Sequence, residues 1–155
     1  MMKSAAAKAV QIGPILATDF PSWSKLFHAY VDFYKSSLPD EQYKSTFARL
    51  TDPKTDLSGL ALREEGPDGK LIGIMHFFPH QTPWSEKQIM HINDLFVDPE
   101  YRGNGYGRRL IQEAGRIAKE QGCLRVQWAT QHGNPARKLY DELGVCNFVE
   151  YRMAI

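Results

Sequence analysis

The sequence predicts an α/β fold, and three observations predict it. Apolar residues switch repeatedly between the 3.6-residue period of an amphipathic helix and the two-residue alternation of a strand. The stretches read in the order β-α-α-β-β-β-α-β-α-β, with no repeat and no low-complexity tract. A glycine-rich junction, Arg102-Gly103-Asn104-Gly105-Tyr106-Gly107, joins a long strand-like run to a helix. At 155 residues, 43% hydrophobic and 24% charged, the chain can bury a sizeable core without disulfides or a structural metal. Residues 1–9 read as a disordered lead-in and 10–155 as a single domain.

A short strand is expected around Gln11–Leu16. Thr18-Asp19-Phe20-Pro21 then marks a helix start, with a capping residue and a proline in the first turn. Trp23, Leu26, Phe27, Tyr30, Val31 and Tyr34 form the apolar stripe of that helix. Leu38-Pro39-Asp40 breaks it and caps a second helix, roughly Glu41–Leu50, which Asp52-Pro53 ends. Leu57–Glu64 and Leu71–Phe78 read as paired strands joined by a turn over Glu65–Lys70. A polar linker containing Pro83-Trp84 leads to the long strand Ile89–Val97.

Helix Gly105–Gln121 follows, burying Leu110, Ile111, Ala114, Ile117 and Ala118, with Gly122 as its C-terminal stop. Leu124–Thr130 alternates as a strand. Asn134-Pro135 opens a last helix that runs through Leu143 to Gly144, and Phe148–Met153 is the expected final strand.

Bulk properties exclude several functions. A formal net charge of +1 gives no domain-wide basic excess of the kind a nucleic-acid binder carries. No segment approaches the ~20 apolar residues that span a bilayer, and the N-terminus has no apolar signal core. Cys123 and Cys146 fit no metal spacing, and neither do His28, His76, His80, His91 and His132, so no metal is expected. Two thiols without a secretory context point to a reducing compartment, cytoplasmic with the nucleus as an option.

The glycine junction carries the chemistry. Glycines there let main-chain N–H groups converge on an anion, and the first turn of a helix adds partial positive charge, so a phosphate is the natural occupant. A nucleotide P-loop would need Gly-Lys-Ser/Thr, which is absent. A dinucleotide fingerprint would need a third glycine where Arg108 stands. What remains is Arg-x-x-Gly-x-Gly after Val97-Asp98-Pro99-Glu100-Tyr101.

With these flanks the junction resembles the acetyl-CoA pyrophosphate loop of the GCN5-related N-acetyltransferases. The resemblance runs from Ile12 to Met153 and is carried also by Ile92-Asn93-Asp94-Leu95-Phe96-Val97 and by Ala136-x-x-Leu139-Tyr140-x-x-x-Gly144. Tyr30-x-x-Phe33-Tyr34 and Leu38-Pro39-Asp40 look closest to a fungal subgroup of histone-and-other-protein and D-amino-acid acetyltransferases. Trp84 through Tyr140 is also similar to the spermidine/spermine and thialysine acetyltransferases. The resemblance implies a twisted mixed sheet flanked by helices, with a V-shaped opening after Leu95 that receives acetyl-CoA as co-substrate. It implies direct acetyl transfer to a primary amine of a small molecule, an amino acid or a polyamine-type amine. A protein or histone lysine acetyltransferase, and a non-catalytic acyl-CoA-binding sensor, stand as alternatives.

Site residues follow from the same resemblance. Arg102, Gly103, Asn104, Gly105, Tyr106, Gly107 and Arg108 would hold the pyrophosphate, and the main chain of Leu95, Phe96 and Val97 the pantetheine arm, with one N–H as oxyanion donor. Tyr140 would protonate the departing thiolate. Asn134, one residue out of the family's place, reads either as a CoA contact or as a helix N-cap; Arg137, on the same last helix, and Tyr140 are also candidates to contact CoA. An alkyl amine with a pKa near ~10.4 is no more than about 0.1% neutral at pH 7, so a proton must be removed. Asp94 is the candidate to bind the amine or take that proton, and a local main-chain cap is its other reading. Strand alternation would let only one of Asn93 and Asp94 face the cleft. Trp84 and Tyr30 are candidate walls of the amine pocket. One strand after Gly144 would leave an open sheet edge, and a homodimer through the C-terminal segment is expected.

Overall fold

In the computed structural model, residues 8–66 and 69–155 are described. Residues 1–7 of the expected lead-in, and Pro67 and Asp68 of the expected turn, lie outside them. Five strands form one sheet in the order β1-β2-β3-β4-β5. These are β1 (Val10–Pro14), β2 (Ser58–Glu64), β3 (Leu71–Thr82), β4 (Ser85–Val97) and β5 (Arg125–Gln127). The first four pair antiparallel, and β5 lies parallel to β4. Helices α1 (Phe20–Phe33) and α2 (Asp40–Leu50) fall between β1 and β2. Helix α3 (Tyr106–Glu120) is the crossover from β4 to β5, and α4 (Arg137–Leu143) follows β5. The sheet is mixed and carries helices on both faces.

Each face has its own core. Trp23, Leu26, Phe27 and Val31 of α1, with Tyr43, Phe47 and Leu50 of α2, pack on Ala61, Ile74 and Phe96. Leu110, Ile111, Ala114 and Ala118 of α3 pack on Leu62, Ile72, Met75, Met90 and Ile92 from the other side. Most of each predicted stripe is buried; Tyr30, Tyr34 and Ile117 are half-buried. Asp19, expected as a side-chain cap, is instead buried at the start of α1. It accepts from Arg63 at 2.7 and 2.9 Å and from the Leu16 amide at 2.7 Å. Burial pushes its carboxyl up, and the Arg63 and Leu16 hydrogen bonds with the Arg63 charge more than offset that, so its pKa is lowered.

Three expectations are corrected. Pro83-Trp84 is not a linker but the tip of a hairpin: β3 and β4 run into it and pair down to Thr82↔Ser85. Helix α4 starts at Arg137 rather than at Asn134-Pro135, because an Asn134-closed turn occupies the first positions. The final strand Phe148–Met153 is not formed. Residues 145–155 run without regular structure, and Phe148 is 92% exposed beside exposed Val149, Tyr151 and Met153. A strand needs a ladder partner, and among the described residues β5 receives none on its outer edge.

Candidate active site

The loop after β4 is a main-chain device. Pro99–Tyr101 forms a short 3-10 turn, closed by Asp98 Oδ1 accepting from the Glu100 amide at 3.0 Å. Gly103 and Gly105 then adopt φ of +82° and +76°, where a side chain costs about 1–2 kcal/mol. A Cβ built on either meets nothing within 4 Å, so both positions face open space. Gly105 is the N-cap of α3, a 15-residue helix whose first amides have no partner within the helix. Asn104 Nδ2 donates to the Tyr101 carbonyl at 2.9 Å, bracing the loop from within.

The two arginines are placed by neighbours. Arg102 Nε donates to the Val97 carbonyl at 3.0 Å, and its guanidinium lies over the Phe96 ring. Arg108 pairs with Glu142, tying α3 to α4. Tyr106 packs into the α3-side core, and Gly107 faces Leu139 of α4, 3.5 Å from its Cβ position.

Beside the loop the sheet opens. Pairing of β4 with β5 covers only Ile89↔Arg125, Met90↔Val126 and His91↔Gln127. The opening therefore starts after His91, earlier than the expected Leu95, and Leu124–Thr130 keeps only its first half as strand. From Ile92 to Val97 the β5-facing edge of β4 has no strand partner, while its other edge stays paired to β3. Main-chain groups of Leu95, Phe96 and Val97 on that edge are thus free of ladder hydrogen bonds.

A β-bulge shapes the floor. Phe77 pairs with Ile92 and His76 with Asp94, leaving Asn93 as the extra residue. Met90 and Ile92 pack on the α3 side, and so do Leu95 and Val97, although a regular strand would put Ile92 and Leu95 on opposite faces. The bulge absorbs the slip and puts Asn93 and Asp94 together: Asn93 Nδ2 donates to Asp94 Oδ1 at 3.1 Å. Of the two, Asn93 lines the cleft and Asp94 does not, so one member of the pair faces it.

Tyr30, Tyr34, Asn93, Leu95, Trp128, Thr130 and Tyr140 surround a cleft in this opening. Tyr140 packs edge-on against Trp128 at 5.6 Å. Burial, then the neighbouring Tyr34, raise its phenol above the ordinary value, so it keeps its proton at neutral pH. Burial, and next the Asp94 charge, push the Tyr30 phenol far up. Asp94 lies behind the cleft wall with 15% of its side chain exposed. Burial pushes its carboxyl up, but hydrogen bonds from His76, Asn93 and Tyr30 outweigh this and lower its pKa.

Asn134 is spent locally. Its Nδ2 donates to Thr130 Oγ1 at 2.8 Å and its Oδ1 accepts from the Ala136 amide at 2.9 Å, while Arg137 Nη1 donates to the His132 carbonyl. Trp84 is elsewhere: it sits 93% exposed at the hairpin tip, nine residues along β4 from Asn93, and does not line the cleft. Trp128 and Thr130 line it without having been predicted to, because they follow a strand that stops early. His76 also escaped, since a lone histidine in an apolar run carries no signal of its partners. Among the described residues no group of three or more His, Cys, Asp or Glu is placed to hold a metal, and no helix is long and apolar enough to cross a membrane.

Comparison with known proteins bears on this geometry. A family model described as "Acetyltransferase (GNAT) family" matches residues 23–145. A D-amino-acid N-acetyltransferase of Saccharomyces cerevisiae is 37% identical over 121 residues, covering 78% of this chain and 74% of the yeast enzyme. A thialysine N-epsilon-acetyltransferase of Bos taurus is 32% identical over 77 residues, covering 49% of this chain and 44% of the bovine one. The crystal structure of a ribosomal-protein-alanine N-acetyltransferase from Brucella melitensis superposes with a TM-score of 0.74 at 22% identity, covering 95% of this chain and all of that one. At that identity the likeness concerns the fold.

Proposed function

The chain belongs to the acetyltransferase (GNAT) family, and from that premise we propose that it moves the acetyl group of acetyl-CoA directly to a primary amine of a small molecule. The observation that carries the reading is the open loop of Gly103 and Gly105 at the head of α3, beside a strand edge freed by the sheet's opening. Residues 102–108 would hold the pyrophosphate through main-chain amides. The free edge at Leu95–Val97 would hold the pantetheine amides and supply an oxyanion donor. Arg108 pairs with Glu142 across α3 and α4, and Asn134 and Arg137 bond within residues 130–137, which would set these three side chains beside the CoA they are read to hold.

In the transfer, the neutral amine nitrogen attacks the thioester carbonyl and forms the C–N bond as the C–S bond breaks. Tyr140, half-buried and protonated, gives its proton to the leaving sulfur. The amine's proton passes to solvent or, through water, toward Asp94. No acyl-enzyme is needed when both substrates are bound together. For the acceptor, no Lys or Arg lines the cleft among the described residues, and the Asp94 carboxylate is hydrogen-bonded to the lining Asn93. That favours a polyamine-type amine over one with a carboxylate beside it. Similarity to the yeast enzyme favours an amino acid.

The reading also includes a homodimer, in a cytoplasmic setting. The exposed apolar tail around Phe148, Val149, Tyr151 and Met153, and the open outer edge of β5, support assembly through the C-terminal segment. Light scattering at micromolar concentration should give a dimer mass, and deletion of residues 150–155 should lower it to a monomer. The chemical test is release of free CoA thiol across spermidine, D- and L-amino acids and a basic peptide. Turnover with a small amine is expected. Turnover with the peptide alone would establish a protein acetyltransferase, and binding of acetyl-CoA with no thiol release from any amine would establish a sensor.

A further inference from the structure

A buried hydrogen-bonded chain runs from α1 through β3 to the cleft. Trp23 is fully buried and His76 is 2% exposed. Trp23 Nε1 donates to His76 Nε2 at 2.9 Å, and His76 Nδ1 lies 2.9 Å from Asp94 Oδ2. An indole N–H can only donate, so Nε2 accepts, the ring's proton sits on Nδ1, and Nδ1–H donates to the carboxylate. Phe27 stands edge-on to the imidazole at 4.9 Å and closes the remaining space. The register of the bulge makes the contact possible, because it pairs His76 directly with Asp94.

We infer that His76, locked by Trp23, is a positioning residue that keeps Asp94 ionised and oriented behind the amine cleft. Because Nε2 accepts from the Trp23 N–H, the ring's one N–H is fixed on Nδ1 and aimed at the Asp94 carboxylate. The carboxylate keeps its full charge, with one oxygen held by His76 and the other by Asn93. Tyr30 from α1 faces the same carboxylate, and His91 on β4 feels its charge. These are the titratable groups around it. The lowered pKa of Asp94 agrees with this arrangement. The inference rests on the acetyltransferase reading, but its first test does not need turnover.

In nitrogen-15 NMR of the wild-type protein, the His76 ring should show the Nδ1-protonated neutral tautomer at pH 7. A ring protonated on Nε2, or on both nitrogens, would overturn the proposal. In kinetics, with spermidine or D-alanine, whichever is the faster acceptor, His76→Leu should raise the acceptor KM about tenfold and leave the acetyl-CoA Kd unchanged. The pH below which its kcat/KM profile steepens should move up by about one unit, as Asp94 loses a donor to its charged form. His76→Asn, whose amide N–H can replace Nδ1–H, should restore near wild-type values. In an Asp94→Asn background, His76→Leu should add nothing further to KM. Where His76→Leu does not fold, His76→Asn and the NMR measurement carry the test. Equal losses in His76→Leu and His76→Asn, or a full further loss in the Asp94→Asn background, would make His76 a packing residue. A wild-type protein that releases no CoA thiol with any amine would instead remove the acetyltransferase reading, with the tautomer result still standing.

Discussion

The anion loop and the amine cleft are neighbours built on opposite plans. The loop lies within residues 98–108, and main-chain geometry does its work: two left-handed glycines, one 3-10 turn and the head of α3. The cleft draws side chains from α1, β4, α4 and the stretch after β5, with a histidine from β3 behind them. A site made of backbone is fixed by a short local sequence and varies little with its surroundings. One made of side chains from distant elements is open to change at each position, which suits a common donor and a variable acceptor.

Substitutions should separate the two regions. The largest effect is expected in the loop. Gly105→Glu puts a carboxylate at the helix head and a side chain at φ +76°, so acetyl-CoA binding should be lost in calorimetry. The conformational cost of about 1–2 kcal/mol is small against a typical stability of about 5–15 kcal/mol, and circular dichroism should show a folded protein. Unchanged affinity in that folded variant would break the assignment of the loop.

Between the regions stands Tyr140. Tyr140→Phe keeps the contact with Trp128 but removes the proton, so kcat should fall roughly 10²-fold with acetyl-CoA affinity unchanged. Because burial and Tyr34 raise the phenol's pKa, kcat should not decline through its ionisation below its ordinary value of 10.0. Wild-type turnover in the variant would leave it a packing residue.

On the cleft side, Asp94→Asn should raise the acceptor KM about tenfold, about 1.4 kcal/mol, and leave acetyl-CoA binding alone. The same change has a stability signature. The folded-state pKa of Asp94 is depressed, so the stability this group contributes is present above its unfolded value near 3.8 and is lost as pH falls through the lower folded value. Urea unfolding of the wild type should therefore weaken below about pH 4, and Asp94→Asn should flatten part of that slope. A KM shift of equal size for acetyl-CoA would merge the two regions. The smallest effect is expected at the hairpin tip, where Trp84→Ala should leave kcat/KM within about twofold; a larger loss would bring the tip into the acceptor site.

The same contrast explains what was legible. Glycines at a strand–helix junction and the apolar stripes of α1 and α3 are short-range patterns, and the structure keeps them. The bulge at Asn93 left only a slip in apolar phase between Ile92 and Leu95, which strand alternation alone does not announce. Trp84 looked like a pocket wall, and only the length of the β3–β4 hairpin carries it away. His76 and Trp23 are 53 residues apart, and no local pattern announces their bond. The tail at 145–155 has the residues of a strand but lacks a partner in the chain, which no count of β-formers reveals.

If loop and cleft are two sites filled together, initial velocities measured across both substrates decide the matter. Double-reciprocal plots of thiol release at several fixed amine concentrations should intersect, as required when acetyl-CoA and amine are bound at once before the acetyl group moves. Parallel lines would mean that acetyl-enzyme forms before the amine arrives, and would contradict direct transfer between the two regions.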